Sequence, residues 1–193
     1  MNITSTAAAL LTALLASSAA SAETLNFESL AVGPHNSPVN LPQASISGNA
    51  DILYLNEFFA GEGGSICAAF TTSTSTSCTG DLQISFTSAV TGLVFSTFGF
   101  DDGDKVDISV FNGVQWLGMQ TIEANSPVDF SALPRITRIV IDDQSLGDDS
   151  GAGYAYGRFA FTVLPSVPEP GTWLMMGLGL AATGAAARRR QAR

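Results

Sequence analysis

Short segments rich in β-branched and aromatic residues, each bounded by Gly, Pro, Asn or Asp, constrain the fold of this chain more than any other feature. Runs of this length and composition are typical of strands, and helical spacing is hard to find between them. The predicted strands are Thr24 to Phe27, Ile52 to Phe59, Asp81 to Phe86, Leu93 to Phe100, Val106 to Phe111, Val114 to Ile122, Ile136 to Ile141 and Arg158 to Leu164.

The clearest alternation of apolar and polar residues lies just before the dipeptide Asn112-Gly113. Val106, Ile108 and Val110 occupy every second position of that stretch. An Asn-Gly pair between two such runs is the strongest short signal for a β-hairpin. Because antiparallel sheets without helices must bury one face against each other, we predict an all-β fold. The expected architecture is an antiparallel two-sheet β-sandwich, jelly-roll-like, with an Ig-like topology as the alternative.

The last 27 residues differ from the rest of the chain and fall into three parts. Val167-Pro168-Glu169-Pro170 is rigid and opposes helix formation. Residues 173–187 carry no charge, and a helix of that length spans about 22 Å, against about 30 Å for the hydrocarbon core of a membrane. Arg188-Arg189-Arg190 follows, and the positive-inside rule keeps these arginines cytoplasmic. The pattern predicts a short transmembrane helix that suits transient retention in a membrane.

This arrangement closely resembles the PEP-CTERM sorting domain, which is processed by exosortase. Exosortase is an inner-membrane cysteine protease of Gram-negative bacteria that make exopolysaccharide. The resemblance, which covers Val167 to Arg193, implies transient retention in the inner membrane and then delivery to the cell surface or secretion. An ordinary C-terminal transmembrane anchor is the alternative, and it has the same topology.

The N-terminus is consistent with export. Ala7 to Ala16 is an apolar core, and Ala20-Ser21-Ala22 has the small-x-small pattern that signal peptidase accepts. The sequence therefore predicts a signal peptide at residues 1–22, a β-sandwich ectodomain at 23–165 and the sorting signal at 166–193.

The predicted ectodomain is strongly acidic. It contains 16 Asp and Glu side chains against four basic ones, a net charge of −12, whereas the whole chain has −9. Such a surface repels nucleic acid and, unless a divalent cation intervenes, anionic polysaccharide. We therefore expect no nucleic-acid partner, and solubility outside the cell explains the acidity most simply.

Cys67 and Cys78 are the only cysteines and lie in the exported part, which predicts a disulfide. The bond would close a 12-residue loop and stabilise the fold by about 3 kcal/mol. His35 is the only histidine, so a catalytic cysteine or a zinc site is disfavoured. The Ser/Thr tract from Thr71 to Thr79 is expected to be an exposed loop, open to O-linked glycosylation.

Closely spaced carboxylates raise the question of calcium, which prefers six to eight oxygen ligands. The clusters are Asp101, Asp102 and Asp104; Asp142 and Asp143; and Asp148 and Asp149. A looser resemblance to PEP-CTERM ectodomains and carbohydrate-binding jelly rolls implies a structural calcium shared by Glu28 and Asp142 or Asp143. Asp101, Asp102 and Asp104 form a second candidate set. The alternative is that these acids cap turns and face water.

Trp116, Tyr154 and Tyr156 are the candidate rings for stacking against sugars, although Trp116 is equally compatible with a core position. Tyr154 and Tyr156 share one face if their segment is extended. No pair of acids stands out for glycoside hydrolysis, and His35 lies in a loop without the character of a nucleophile elbow. We therefore expect a non-catalytic surface or matrix protein associated with exopolysaccharide and biofilm. A calcium-dependent carbohydrate-binding module is the alternative, and a secreted polysaccharide hydrolase is the third reading.

Overall fold

The computed structural model describes residues 21–55, 64–71, 76–145, 153–165, 177–180 and 183. The strands within these ranges are β1 (Ser21–Thr24), β2 (Gly33–His35), β3 (Val39–Asn40), β4 (Ala44–Gly48), β5 (Asp51–Leu55), β6 (Ser65–Thr71), β7 (Thr76–Gly80), β8 (Leu82–Phe98), β9 (Val106–Asn112), β10 (Gln115–Ile122), β11 (Pro127–Phe130), β12 (Ile136–Asp143) and β13 (Ala155–Val163). These strands pair antiparallel, so the prediction of an all-β antiparallel sandwich is confirmed.

The long strand β8 belongs to both layers of the sandwich. Its first part, from Leu82 to Phe86, lies between β4 and β12, and this front sheet has the order β3-β4-β8-β12-β9-β10. Its last part, from Leu93 to Phe98, lies between β11 and β13, and this back sheet continues through β6 and β5 to β2. A strand that changes sheets at a bend is a common corner of packed β-layers.

Alternate residues of the front sheet face a core shared by both layers. One inward row joins Ile46, Ile84, Ile139 and Val110 across four strands, and all four are fully buried. The core also contains a stacked pair, Phe95 and Phe159, with ring centroids 4.6 Å apart. The alternation of the sequence thus decides which side chains of each strand reach the core.

The structure joins two predicted strands into one. Asp81 to Phe86 and Leu93 to Phe100 were expected as separate strands, but β8 is continuous over 17 residues. The polar residues between them lack a turn sequence, and Gly92, with φ of +65°, accommodates the change of direction within the strand. Five other predicted strands have counterparts in β5, β9, β10, β12 and β13, although residues 56–59 of the predicted Ile52 to Phe59 lie outside the described residues. The predicted strand Thr24 to Phe27 is misplaced, because β1 ends at Thr24. The strands β2, β3, β4, β6, β7 and β11 were missed.

The expectation of an exposed loop over the Ser/Thr tract is wrong for part of it. Residues 72–75 lie outside the described residues, but Thr76 to Thr79 belongs to β7, and Cys78 within it is buried. Hydroxyl-rich composition favours a loop, yet pairing with β6 and the disulfide hold this segment in the sheet.

Both predicted targeting segments fall mostly outside the described residues. Of the predicted signal peptide, only Ser21 and Ala22 are described, and they belong to β1, opposite Val163 and Thr162 of β13. Of the sorting signal, residues 177–180 and 183 are described and are helical, while Val167 to Pro170 and Arg188 to Arg190 are not described. Within the described residues, no helix is long and apolar enough to cross a membrane.

Candidate functional site

Three carboxylates lie together at one end of the central strands of the front sheet. Asp142 of β12 lies opposite Asp107 of β9, and Asp81 immediately precedes β8. One Asp81 oxygen accepts the backbone N–H of Asp143 at 3.0 Å, and the other accepts the side-chain amide of Asn49 at 3.0 Å. Burial, followed by the nearby charge of Asp81, raises the pKa of Asp142 above its ordinary value. Asp81 and Asp107 therefore disfavour the ionisation of Asp142.

A second acidic group surrounds the turn between β8 and β9. Asp104 accepts the backbone N–H of Asp101 at 2.8 Å, and Asp143 accepts that of Ser145 at 2.8 Å. The Ser145 hydroxyl also accepts the backbone N–H of Lys105 at 3.1 Å, which ties the turn to the end of β12. These carboxylates therefore complete turns, which is the alternative to a role as calcium ligands. Asp102, the third acid of this turn, is exposed.

Glu28 belongs to a local turn of its own. Its carboxylate accepts the side-chain amide of Asn26 at 3.1 Å, and its backbone N–H donates to the same Asn26 side chain at 2.7 Å. Within the ranges that the structure describes, no group of three or more His, Cys, Asp or Glu side chains is arranged to hold a metal ion. Asp148 and Asp149 lie outside those ranges, and a calcium site stays a prediction.

Tyr154 and Tyr156 share a face, as their spacing predicts, but that face is the interior. Each is 1% exposed, and Tyr154 stacks on Phe100 with ring centroids 4.6 Å apart. Burial, followed by Asp143, raises the pKa of Tyr154 far above its ordinary value. Among the described residues, neither hydroxyl has a partner within hydrogen-bonding distance. The hypothesis that these rings stack against a sugar is wrong, because apolar neighbours on other strands already cover them.

Trp116, by contrast, lies at the surface. It belongs to β10, the edge strand of the front sheet, and its side chain is 59% exposed. A register shift between Trp116 and Gly118 places Leu117 in a bulge. The sequence left open whether Trp116 was core or surface, since edge position and bulges depend on tertiary pairing. The structure places this ring at the surface.

The disulfide predicted from the cysteine count is present. Cys67 of β6 and Cys78 of β7 are bonded with their Cα atoms 5.5 Å apart, and both are buried. Beside it lies a mainly apolar cavity of about 180 Å³, lined in part by Leu53, Leu55 and Phe98. Tyr154 is the titratable residue among those that line the cavity, and burial raises the pKa of its phenol far above its ordinary value.

Comparison with known proteins adds one specific finding. A family model described as the PEP-CTERM protein-sorting motif matches residues 166–190. No curated protein matches the chain. One similar solved structure is a family two carbohydrate esterase from Cellvibrio japonicus, with a TM-score of 0.34 and 14% identity over 65% of this chain. The chain spans only 37% of the length of that esterase, and a similarity of this degree carries no inference about activity.

Proposed function

We propose that this chain, an exported protein that carries a PEP-CTERM sorting motif at residues 166–190, is a non-catalytic component of the cell surface or extracellular matrix, associated with exopolysaccharide and biofilm. The sorting motif is the observation that carries the proposal, because it makes the chain a target of exosortase. The ectodomain ends close to this signal, since β13 ends at Val163. Signal peptidase is the second expected processing enzyme, and the inner membrane holds the chain only until the tail is removed.

The carboxylates of the ectodomain support a structural role. Asp81, Asp104 and Asp143 each accept a backbone N–H, so their oxygens stabilise turns and strand ends. In a matrix protein these residues keep the surface acidic and soluble while they fix the loops.

The test is the mature C-terminus in a Gram-negative host that has exosortase and makes exopolysaccharide. We expect mass spectrometry to find a chain that has lost its tail near Pro168 to Gly171 and that fractionates with the polysaccharide. The double substitution Pro168→Ala/Pro170→Ala should leave the tail in place, because it removes the rigid recognition segment. Pro134→Ala, an exposed proline of the ectodomain, is the control and should be processed normally. A parent chain that still ends at Arg193 would contradict the proposal.

A calcium-dependent carbohydrate-binding module is the second candidate. Burial and the repulsion by Asp81 and Asp107 raise the pKa of Asp142, and a divalent cation bound there would offset that cost, although the described carboxylates form no group of three arranged to hold a metal. A pair of variants measures that repulsion. With chelator at neutral pH, Asp142→Asn should raise the melting temperature, whereas Asp129→Asn should lower it, because hydrogen bonds from Ser131 lower the pKa of Asp129.

The pH dependence of the two melting temperatures follows from the directions of the pKa shifts of Asp142 and Asp129. A raised carboxyl pKa means that ionisation costs stability above the folded pKa, and this cost disappears as the pH falls towards the unfolded value of about 3.9. A lowered pKa means that ionisation stabilises the fold above the unfolded pKa, and this contribution disappears as the pH falls through the folded value. Both variants should therefore approach the parent melting temperature in acid.

Calcium itself tests whether Asp142 is a ligand, as the second candidate function requires. If calcium binds at Asp142, millimolar calcium should raise the melting temperature of the parent and of Asp129→Asn, but not that of Asp142→Asn. An equal response of all three proteins would exclude Asp142 as a ligand.

A further inference from the structure

The outer face of the front sheet carries two rows of side chains that follow the strand register. The first row contains Asn40, Ser45, Ser85, Arg138, Phe111 and Trp116, and the second contains Ser47, Gln83, Val140, Ser109 and Met119. Their neighbours along each strand point inward and are mostly buried, as Ile84, Ile108 and Ile139 show. We call these two rows the front face.

The exposed end of the front face is aromatic and apolar. Trp116 is 59% exposed and Met119 50% exposed, and β10, which carries both, has no charged residue. Next to them, the guanidinium carbon of Arg138 lies 4.4 Å from the centre of the Phe111 ring. Towards β4 the rows are polar, and the Gln83 amide donates to the Ser85 hydroxyl at 3.3 Å. An accessible ring therefore lies in line with amide, hydroxyl and guanidinium groups.

Charge also sets the front face apart from the rest of the ectodomain. The ectodomain has a net charge of −12, but neither row contains a carboxylate, and Arg138 is the single charged side chain. Asp107 and Asp142 lie opposite each other immediately beyond the second row. They form a border that repels an anionic chain and accepts hydrogen bonds from hydroxyl groups.

We propose that the front face binds a neutral polysaccharide chain, with one sugar ring packed against Trp116 and with sugar hydroxyls hydrogen-bonded to Gln83 and Arg138. The proposal rests on the association with exopolysaccharide proposed above, and names the surface and the class of glycan. A sugar presents an apolar ring face and polar edges, which matches an aromatic ring beside planar polar groups. Six strands about 4.8 Å apart give a platform about 24 Å wide, long enough for several sugar rings.

A second copy of this chain fits the front face less well. Two ectodomains of net charge −12 repel each other. The core of a homodimer interface is also more apolar than these two rows, in which serine, asparagine and glutamine predominate. The mixture of one accessible ring and many hydrogen-bonding groups favours a hydrated, hydroxyl-rich partner.

Retention of the full chain, in detergent, on immobilised polysaccharides tests this proposal. The probes are hydroxyethyl cellulose, galactomannan and dextran as neutral chains, and alginate as an anionic chain. We expect the full chain to bind at least one neutral polysaccharide, with binding about tenfold or more weaker in Trp116→Ala and in Gln83→Ala. Phe70→Ala removes a 45% exposed aromatic ring from β6 of the back sheet and should bind like the parent. Circular dichroism confirms that each variant is folded.

The remaining outcomes would each overturn the proposal, and they can be told apart. Neutral-glycan binding that both front-face variants leave unchanged would place the site elsewhere and leave the polysaccharide association intact. Binding to alginate alone would overturn the choice of a neutral chain. Self-association in light scattering that Trp116→Ala abolishes would make the front face a contact between copies. If no probe is bound, the proposal fails, while co-fractionation of the processed chain with the host polysaccharide still decides the proposed function.

Discussion

Replacement of Phe159 by alanine is expected to lower the free energy of unfolding by about 3–5 kcal/mol, the largest effect of a single substitution that we anticipate. Phe159 is 0% exposed and stacks on Phe95 with centroids 4.6 Å apart. It also makes an edge-to-face contact with Phe27 at 6.0 Å, so one ring joins β13, β8 and the segment after β1. Removal of the ring leaves a cavity that the surrounding strands cannot close. Urea unfolding followed by circular dichroism measures the loss.

Phe70→Ala is the matched control for this prediction. The same ring is deleted, but Phe70 is 45% exposed on β6, so the unfolding free energy should change by less than about 0.5 kcal/mol. A similar loss in both variants would mean that Phe159 does not occupy the core, and the packing described between β8 and β13 would then be wrong. If the midpoint changes strongly while the m-value changes little, the native and unfolded states of the variant are as compact as those of the parent.

Alternation of apolar and polar residues was sufficient to predict the fold class and most long strands. Val106, Ile108 and Val110 alternate with polar neighbours, and the structure buries all three in β9. Short strands were missed because β3 has two residues and β2 three, too few for any period to appear. The continuity of β8 also could not be predicted, since the strand is held across its polar middle by pairing with β12 and β13 at Val90.

The sequence predicted the kinds of groups at the candidate site better than it predicted which residues contribute them. An even number of cysteines in an exported chain was sufficient to predict the disulfide, because neither feature depends on tertiary geometry. The burial of Tyr154, which precedes β13, and of Tyr156 within it depends on which face of this segment packs inward, and alternation alone does not give that direction. Gln83 and Arg138 could not be predicted as members of one surface, because only the register of β8 and β12 brings them to the same face. The signal that could have found them is the polar half of the same alternation that predicted the core.

Removal of the disulfide in Cys67→Ala/Cys78→Ala is expected to lower the unfolding free energy by about 3 kcal/mol. The bond closes a loop with a sequence separation of 11 residues, and its absence gives the unfolded chain more conformations. The effect also links stability to export, since a chain kept in the reducing cytosol would lack this contribution. Urea midpoints of the parent and of the double variant, converted with their m-values, give the size of the effect.

A reductant provides the control for the disulfide prediction. Dithiothreitol should bring the parent to the stability of the double variant and should leave the double variant unchanged, because that variant has no disulfide to reduce. Cys78 of β7 is bridged to Gly153, and its carbonyl accepts the backbone N–H of Tyr154 at 3.2 Å, so reduction should also alter the near-ultraviolet spectrum of the buried tyrosines. Equal stability of parent and double variant under oxidising conditions would mean that strand pairing between β6 and β7 alone fixes this hairpin, and the entropic argument would then fail.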